Sequence, residues 1–325
     1  MKAIVVREFG DESVLRVEEI PTPEPRVGEV RVKIAATGVN PVETYIRSGK
    51  YGRLPALPYT PGNDGAGVVD AVGPEVRGVA AGDRVFIAAA LAKRTTGTYA
   101  EYSVCDADAV RPLPAETSFA QGAGIATPGL AAIDALFSRG KVQPGDRVLV
   151  HGATGGVGTL AVQYARKAGA IVFGTAGTEE GVRLIAGLGA HEAFNHNEAG
   201  YVEKISCSFD GSGLDVIVEM LANVNLGKDL SLIAPRGRIV IVGSRGSVEF
   251  NPRDAMAKDA AVIGMMLTNM TREERAQNMA RLTAGLENGV KILVGREFPL
   301  AEAAQAHRAV MAEGKSGKIV LAVGE

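Results

Sequence analysis

The sequence of 325 residues has little cysteine and little histidine, which limits the metal sites it can form. Its two cysteines, Cys105 and Cys207, lie far apart and outside any CxxC pair. This excludes a cysteine-rich structural zinc site and suits a reducing compartment. Two of the four histidines, His191 and His196, have the spacing HxxxxH, which does not place two ligands on one helix face.

The sequence also lacks a strong charge of one sign and long apolar runs. Its 35 basic and 37 acidic residues give a formal charge of −2, and aromatic residues make up 5% of the chain. A chain that is neither basic nor rich in aromatics is not expected to have nucleic acid as its main partner. No apolar stretch is long enough to span a bilayer, and the start MKAIVVREFG has no secretory signal features. We therefore expect a cytoplasmic protein with a small-molecule partner.

The order of the segments predicts two domains. Short strands rich in Val and Ile dominate the first part, and strands and helices alternate from Arg147 onward. The alternating strand candidates are RVLVHG, AIVFGT, AFN, LDVIVEM, GRIVIVG and AAVIGM. Such alternation is typical of an α/β fold with a doubly wound parallel sheet. A long helix predicted from Thr271 to Gly289 and the strand KIVLAV follow, and we expect this tail to return to the first domain.

The run HGATGGVG, residues 151–158, connects the strand RVLV to a predicted helix. Its glycines permit a sharp turn and let backbone N–H groups approach an anion, as Rossmann folds do with a dinucleotide pyrophosphate. The context of strand, glycines and helix makes this a stronger signal than the glycines alone. The sequence therefore predicts a dinucleotide-binding domain.

The next strand bears on which dinucleotide is bound. NAD-preferring domains place an Asp or Glu at its end to bind the ribose 2′-OH, whereas here the strand ends in Ala176 and Gly177. The absence of that acid removes a repulsion against a 2′-phosphate, so NADPH is the expected cofactor. The string VGSRG, from Val242 to Gly246, also follows a predicted strand, at the edge where doubly wound sheets bind ligands.

Several long strings resemble the medium-chain dehydrogenase/reductase superfamily, and within it the zeta-crystallin-like quinone oxidoreductases. The resemblance covers nearly the whole chain, and its segments are GVNPVETYIRSG, LPYTPGNDGAGVV, HGATGGVG, GTAGTEEG, MLANVNLGKDLSL and VGSRG. It implies a GroES-like β-rich catalytic domain, residues 1–124 and 265–325, around an inserted Rossmann domain, residues 125–264. It further implies an active site in the interdomain cleft, and a homo-oligomer, dimer or tetramer, often paired through the Rossmann domain. There the apolar strand AAVIGMM is a candidate to extend a sheet across subunits.

The resemblance also indicates which residues form the site. Tyr45 and Asn40 are the expected catalytic residues, because a phenol and an amide can hydrogen-bond the cofactor or the acceptor oxygen. Tyr51 and Tyr59 are further candidates for the acceptor pocket. The expected cofactor-binding residues are Tyr45, Thr154, Gly155, Gly156, Val157, Gly177, His196, Asn225, Val242, Gly243, Ser244, Arg245, Met265, Met266 and Leu267.

At the expected 2′-phosphate site this chain differs from some of its relatives. Some relatives carry a Lys shortly after the second Rossmann strand, where this chain has Gly181 preceded by Glu179 and Glu180. Backbone N–H groups near Gly177, the imidazole of His196 and the base Arg183 are candidates to compensate. For His196 an ordinary surface or core role is an equally good interpretation.

The resemblance predicts no metal. Zinc-dependent members of the superfamily hold zinc with a Cys and a His-Glu pair at positions that here correspond to Asn40, Asn63 and Asp64. A neutral amide is a poor zinc ligand, so no three-ligand site is expected. Without a Lewis acid, hydride transfer needs an acceptor that is already electrophilic, such as a quinone or an activated enone.

The leading hypothesis is therefore a zinc-independent NADPH:quinone oxidoreductase that passes a hydride or single electrons to quinones. An NADPH-dependent enone or alkenal reductase on the same scaffold is a second hypothesis. A third, of another class, is an RNA-binding or structural crystallin-like protein, which the composition does not favour.

Overall fold

The computed structural model describes residues 1–209 and 211–324, and the chain forms two compact units. The first contains residues 1–127 and 292–325, and the second contains residues 128–291. Among the described residues, no helix has both the length and the apolar character needed to cross a membrane.

The strands are β1 Lys2–Val5, β2 Arg16–Glu19, β3 Glu29–Val39, β4 Asp64–Val72, β5 Arg84–Ala88, β6 Tyr102–Asp106, β7 Val110–Pro112, β8 Arg147–Val150, β9 Ile171–Ala176, β10 Glu192–Asn195, β11 Leu214–Glu219, β12 Ile233–Ile241, β13 Ala261–Gly264, β14 Val294–Pro299 and β15 Lys318–Ala322. The α-helices are α1 Pro41–Arg47, α2 Phe119–Gly122, α3 Ala126–Ile133, α4 Gly156–Lys167, α5 Glu179–Gly187, α6 Tyr201–Cys207, α7 Ala222–Leu232, α8 Pro252–Met256, α9 Arg272–Glu287 and α10 Ala303–Met311.

The first unit is built on a mainly antiparallel sheet. Its strand order is β14-β15-β3-β4-β5-β7, and β6 pairs with β3. The alternation in β3 buries Val30, Val32 and Ile34, which is the period-2 pattern of a strand with one face on a core. Strand β15 comes from the chain end and pairs with β3. This last strand of the chain therefore lies in the sheet of the first unit.

The second unit contains a six-stranded sheet in the order β10-β9-β8-β11-β12-β13, and every pair in it is parallel. Numbered within the unit, this is the order 3-2-1-4-5-6 of a dinucleotide-binding Rossmann sheet. All six strands predicted from the sequence are present. Near-continuous apolar strands such as β8 are fully buried because helices cover both faces of a parallel sheet.

The second boundary between the units differs from the sequence expectation. The expected break followed Gly264, but helix α9 belongs to the second unit. In that unit the Tyr164 hydroxyl donates to the carbonyl of Leu282 at 3.2 Å, and the Asn278 amide donates to Asp134 at 3.1 Å. Hydrogen bonds between buried groups tie α9 to its neighbours. Only the chain after Lys291 returns to the first unit.

One glycine of the HGATGGVG run is required by packing. An added Cβ at Gly158 would lie 2.5 Å from the carbonyl oxygen of Gly152 and 2.6 Å from the Cα of Ala153. Both contacts are to backbone, which cannot rotate away as a side chain can. Gly158 therefore lets α4 pack directly against the preceding turn.

We predict that Gly158→Ala lowers the free energy of unfolding by at least about 2 kcal/mol, because the methyl group forces backbone atoms apart. Gly227→Ala is the matched control, since Gly227 lies inside α7 and a Cβ there meets no atom within 4 Å. The control should stabilise the protein by about 0.5–1 kcal/mol through helix propensity. Urea unfolding of both variants measures the difference, and equal effects would contradict the packing role.

Candidate active site

The glycine-rich turn lies between β8 and α4 and has the features of an anion site. The Ala153 N–H donates to the Thr175 carbonyl at 2.9 Å, and Gly152 has a φ of +55°, which favours glycine. Gly155 is the N-cap of α4 and has no side chain with which to cap the helix. The N–H groups of the first helical turn carry the positive end of the helix dipole. The structure places Thr154, Gly155, Gly156 and Val157 at this turn, as the sequence predicts.

Next to this turn are the carboxyl ends of the neighbouring strands β9 and β10. The Asn197 amide donates to the carbonyl of Gly177 at 2.9 Å, and a Cβ at Gly177 would be 3.1 Å from Nε2 of His196. Gly177 and His196 are therefore neighbours, as their predicted shared role requires. The Glu179 carboxylate accepts from the Asn195 amide at 3.0 Å.

Gly181 leaves no space for the lysine of some relatives. It is buried in the first turn of α5, and an added Cβ would lie 2.8 Å from the Cβ of Ala176 and 2.9 Å from Cγ2 of Thr154. Any side chain there would have to displace both neighbours. The packing around Gly181 therefore disfavours the lysine that some relatives carry at this position.

Three further loops follow β11, β12 and β13. The Asn223 Oδ1 accepts from the backbone N–H of Arg245 at 2.8 Å and from the Ser244 hydroxyl at 3.3 Å, which joins the first two loops. The Asn225 amide donates to Glu219 at 3.2 Å. The remaining predicted cofactor residues of the second unit thus follow the carboxyl ends of β11, β12 and β13. They are Asn225, Val242, Gly243, Ser244, Arg245, Met265, Met266 and Leu267.

In the first unit a buried network occupies the positions that hold zinc in metal-dependent relatives. The Lys318 ammonium donates to Asn40 Oδ1 and lies 3.1 Å from Asp64 Oδ2. The Asn40 amide donates to Asp64 Oδ2 at 2.9 Å and to Glu43 Oε1 at 3.2 Å. The other Asp64 oxygen accepts from the backbone N–H of Thr127 at 2.7 Å.

This network changes the interpretation of Asn40. Both amide hydrogens and the amide oxygen of Asn40 have protein partners, and the residue is 5% exposed. The resemblance implied that the Asn40 amide binds the cofactor or the acceptor oxygen. In this structure no amide hydrogen is left for that bond. In this structure Asn40 instead positions the start of α1, because its backbone N–H and side chain both bind the carboxylate of Glu43.

Glu43 connects this network to two aromatic rings. Its carboxylate accepts from the hydroxyl of Tyr99 at 2.8 Å and from the backbone N–H of Asn63 at 2.9 Å. Burial raises the pKa of Glu43, and the nearby Lys318 opposes that rise. The Tyr99 hydroxyl lies 3.2 Å from Nε2 of His307, and burial lowers the pKa of His307 to about 3. His307 is therefore neutral at physiological pH.

The tyrosines of the first unit differ in the partners of their hydroxyl groups. Tyr45 is half-buried on α1, and its hydroxyl has no hydrogen-bond partner among the described residues. The Tyr59 hydroxyl is buried and likewise has no partner in that part of the chain. Burial raises the pKa of Tyr59 to about 12, so this hydroxyl remains a donor. Tyr45 and Tyr59 therefore keep free donors, whereas Asn40 does not.

Sequence reasoning missed Glu43, Lys318 and Asn223 as members of these clusters. Lys318 is separated from Asn40 by 278 residues, so no local spacing could indicate their contact. Glu43 could have been found as the N3 residue of a capping box that begins at Asn40. Asn223 lies in the string MLANVNLGKDLSL, from which only Asn225 was predicted to bind the cofactor.

We predict that Lys318→Met costs about 3–5 kcal/mol of unfolding free energy, because it leaves the Asp64 carboxylate buried without its cation. Adding Asp64→Asn to this variant should restore part of the loss, since the uncompensated charge is removed. Denaturant unfolding of the single and double variants measures both effects. Equal stability of Lys318→Met and the unchanged protein would contradict the importance of the pair.

Comparison with known proteins agrees with this architecture. Residues 26–115 match the alcohol dehydrogenase GroES-like domain, and residues 156–284 match the zinc-binding dehydrogenase domain. The quinone oxidoreductase of Mus musculus is 48% identical over 99% of this chain and 97% of its own length. Among solved structures, a mycobacterial protein complexed with NADPH is 31% identical with a TM-score of 0.89, covering 99% of this chain and all of that one.

A quinone oxidoreductase structure from Pseudomonas syringae pv. tomato is similar to a comparable degree. It is 30% identical with a TM-score of 0.88 and covers 99% of both chains. The similarity therefore extends over both units and includes the strings on which the sequence resemblance was based. The chain belongs to the quinone oxidoreductase family of the medium-chain dehydrogenase/reductase superfamily.

Proposed function

We propose that this protein is an NADPH-dependent quinone oxidoreductase that works without a catalytic zinc and passes a hydride or single electrons to quinones. The observation that carries this proposal is the Lys318 ammonium, hydrogen-bonded to Asn40 and Asp64 at the positions of the metal ligands. The name and the 48% identity of the murine relative support the quinone as the acceptor class.

The residues at the metal positions do not fit zinc. Zinc in such enzymes takes thiolate, imidazole and carboxylate ligands, and here the side chains are two amides, Asn40 and Asn63, and one carboxylate. Both Oδ atoms of Asp64 already accept hydrogen bonds, one of them from the ammonium of Lys318. A second cation beside that ammonium would be repelled.

The residues of the second unit fit a dinucleotide phosphate. The uncapped start of α4 offers N–H groups, and Gly152, Gly155 and Gly158 bring the backbone close to a ligand. Strand β9 ends in Ala176 and is followed by Gly177, where NAD-preferring domains have an Asp or Glu. The lack of this carboxylate favours a cofactor with a 2′-phosphate. His196 and the exposed Arg183 are the cationic candidates for that phosphate.

A bound nicotinamide supplies the hydride or the electrons, and this chain's residues bind and orient the reactants. A quinone carbonyl is electrophilic enough to accept a hydride without a Lewis acid, so stabilisation of the developing oxyanion is the remaining task. The hydroxyl groups of Tyr45 and Tyr59 are donors without partners among the described residues. We assign the oxyanion hydrogen bond to Tyr45, since its hydroxyl is the more exposed.

We also infer a cytoplasmic homo-oligomer. Strand β13 forms one edge of the six-stranded sheet, and Val262 on it is 37% exposed. Phe250 and Met266, which lie before and after β13 in the chain, expose 41% and 46% of their surface. An edge strand with exposed apolar side chains is suited to pair with a second copy.

The test of the proposed function is NADPH oxidation by protein of known metal content. We expect turnover with ortho- or para-quinones, weak turnover with alkenals, and a lower KM for NADPH than for NADH. Activity that is lost with a stoichiometric zinc would overturn the zinc-free mechanism. Efficient reduction of alkenals but not of quinones would favour the enone reductase, and inactivity with all acceptors would overturn the enzymatic proposal.

We predict that Tyr45→Phe lowers kcat/KM for a quinone by about ten-fold or more, because one oxyanion donor is lost. Its unfolding free energy should be unchanged, since the hydroxyl has no partner among the described residues. Tyr102→Phe is the control, as Tyr102 lies on β6 opposite Lys33, in the middle of β3 and away from α1. Steady-state kinetics decide, and equal activity of both variants would remove Tyr45 from the site.

We predict that Val262→Asp weakens self-association, because it places a charge on the apolar edge of the sheet. Sedimentation of the variant at several concentrations should show a smaller species than the unchanged protein. Val224→Asp, at an exposed position of α7, is the control. An unchanged mass for Val262→Asp would contradict assembly through β13.

A further inference from the structure

Beneath the glycine-rich turn lies a buried cluster that the proposed mechanism does not use. It consists of His151, Glu219 and Asp229, with exposed fractions of 3%, 0% and 0%. His151 is the first residue of the glycine run, Glu219 ends β11, and Asp229 lies on α7. One ligand-type atom from each residue lies within 4.8 Å of the others.

Hydrogen bonds link His151 to the glycine-rich turn and to Asp229. The Gly152 N–H donates to the Thr175 hydroxyl at 3.2 Å, and that hydroxyl lies 3.3 Å from Nδ1 of His151. His151 Nε2 lies 2.8 Å from Oδ1 of Asp229. With the Thr175 hydroxyl donating to Nδ1, the neutral imidazole carries its hydrogen on Nε2 and donates it to Asp229.

At the other end, Glu219 holds the loops after β11 and β12. Its Oε1 accepts from the Leu221 N–H and from the Asn225 amide, and its backbone carbonyl accepts from the Val242 N–H at 2.8 Å. Hydrogen bonds thus tie Asp229 to the first glycine of the turn, and Glu219 to two other loops that follow strands of the same sheet. His151 Nε2 lies 3.6 Å from Oε2 of Glu219, so the two sets meet at this cluster.

Each of the two carboxyl groups has one oxygen that lacks a donor. Oε2 of Glu219 and Oδ2 of Asp229 are both buried, and neither has a hydrogen-bond partner among the described residues. One oxygen of each carboxyl group lies within 4.8 Å of an oxygen of the other. Two ionised carboxylates facing each other in a sealed core would repel strongly, and a shared proton removes that repulsion.

A metal ion is a poorer explanation of this cluster. The 2.8 Å separation of His151 Nε2 and Asp229 Oδ1 is that of a hydrogen bond, whereas two ligands on a zinc ion about 2.0 Å from each lie farther apart. The side chains are also sealed from solvent, so an ion has no visible entry path. A proton requires neither a larger cavity nor an entry path of that width.

We propose that Glu219 and Asp229 share one proton, and that this proton couples the protonation state of the protein to binding of the dinucleotide. The proposal rests on the proposed function, because it concerns the same cofactor edge. With the proton present, the loops after β8, β11 and β12 are held in place. Its loss leaves an extra negative charge beneath the turn that receives the pyrophosphate, so the cofactor binds less tightly. Glu219 and Asp229 are positioning residues and do not touch the reacting atoms.

The direction of the pH dependence follows from the surroundings of the pair. Burial raises the pKa of Glu219 and that of Asp229 to about 7 each, with His151 and Lys228 as the charged or titratable neighbours. Burial lowers the pKa of His151, so the imidazole stays neutral and does not replace the shared proton. The Lys228 ammonium is directed to the Tyr201 hydroxyl at 3.2 Å. The proton is therefore present below about pH 7 and lost above it.

The test compares NADPH binding by the unchanged protein and by Glu219→Gln between about pH 6 and pH 8.5. A Gln side chain keeps the acceptor for Leu221 and donates permanently to Asp229, so it mimics the protonated pair. We expect the Kd of the unchanged protein to rise about ten-fold more over this range than that of Glu219→Gln. Glu198→Gln, a change at an exposed acid of the same unit, is the control and should behave like the unchanged protein.

Calorimetry in buffers of different ionisation enthalpy gives a second readout. Above about pH 7, binding of NADPH should take up protons in the unchanged protein and fewer in Glu219→Gln. Equal proton uptake and parallel Kd profiles in the two proteins would overturn the proposal. Titration of the 2′-phosphate of NADPH affects both proteins equally and cancels in the comparison.

Infrared spectroscopy of the cofactor-free protein separates this proposal from the proposed function. A band of a buried protonated carboxyl should be present at about pH 6, fade through about pH 7 and be diminished in Glu219→Gln. If NADPH fails to bind but this band behaves as described, the proposed function fails and the shared proton stands. Absence of the band, or a stoichiometric metal bound by the three side chains, would overturn the shared proton.

Discussion

A buried carboxylate has to be neutralised by its surroundings, and both units of this protein depend on that constraint. Asp64 is fully buried at the start of β4, and its partners come from α1, from β15 and from the backbone at Thr127. Segments that are far apart in sequence are thereby fixed around one charge. Because the cation is a lysine of the chain itself, the position that would hold a metal is part of the folding core.

This constraint also explains how the site differs from that of an alcohol dehydrogenase. A metal in this position polarises an alcohol oxygen directly. The Lys318 ammonium instead donates hydrogen bonds to Asn40 and Asp64. The network therefore holds α1 and the residues on it, including Tyr45, rather than activating a substrate. An enzyme built in this way is restricted to acceptors that are electrophilic without help.

The sequence predicted those features that depend on local pattern. The six strands of the Rossmann sheet, the glycine turn and the N-terminus of α9 at Thr271 follow from periodicity, glycines and capping residues. The placement of α9 in the second unit could not be predicted, because it depends on contacts such as that of Tyr164 with Leu282, 118 residues apart. The bond of Lys318 to the Asn40 amide oxygen was missed for the same reason, since Lys318 comes from the other chain end.

The two units neutralise their buried acids in different ways, and the difference has a functional consequence. In the first unit the compensating charge is the ammonium of Lys318, 3.1 Å from Asp64. In the second unit Glu219 and Asp229 have no such cation within salt-bridge distance among the described residues, and only the imidazole of His151 approaches them. There the shared proton of Glu219 and Asp229 removes one of the two negative charges. This proton is lost near neutral pH. Sensitivity to pH near neutrality should therefore arise at the cofactor loops.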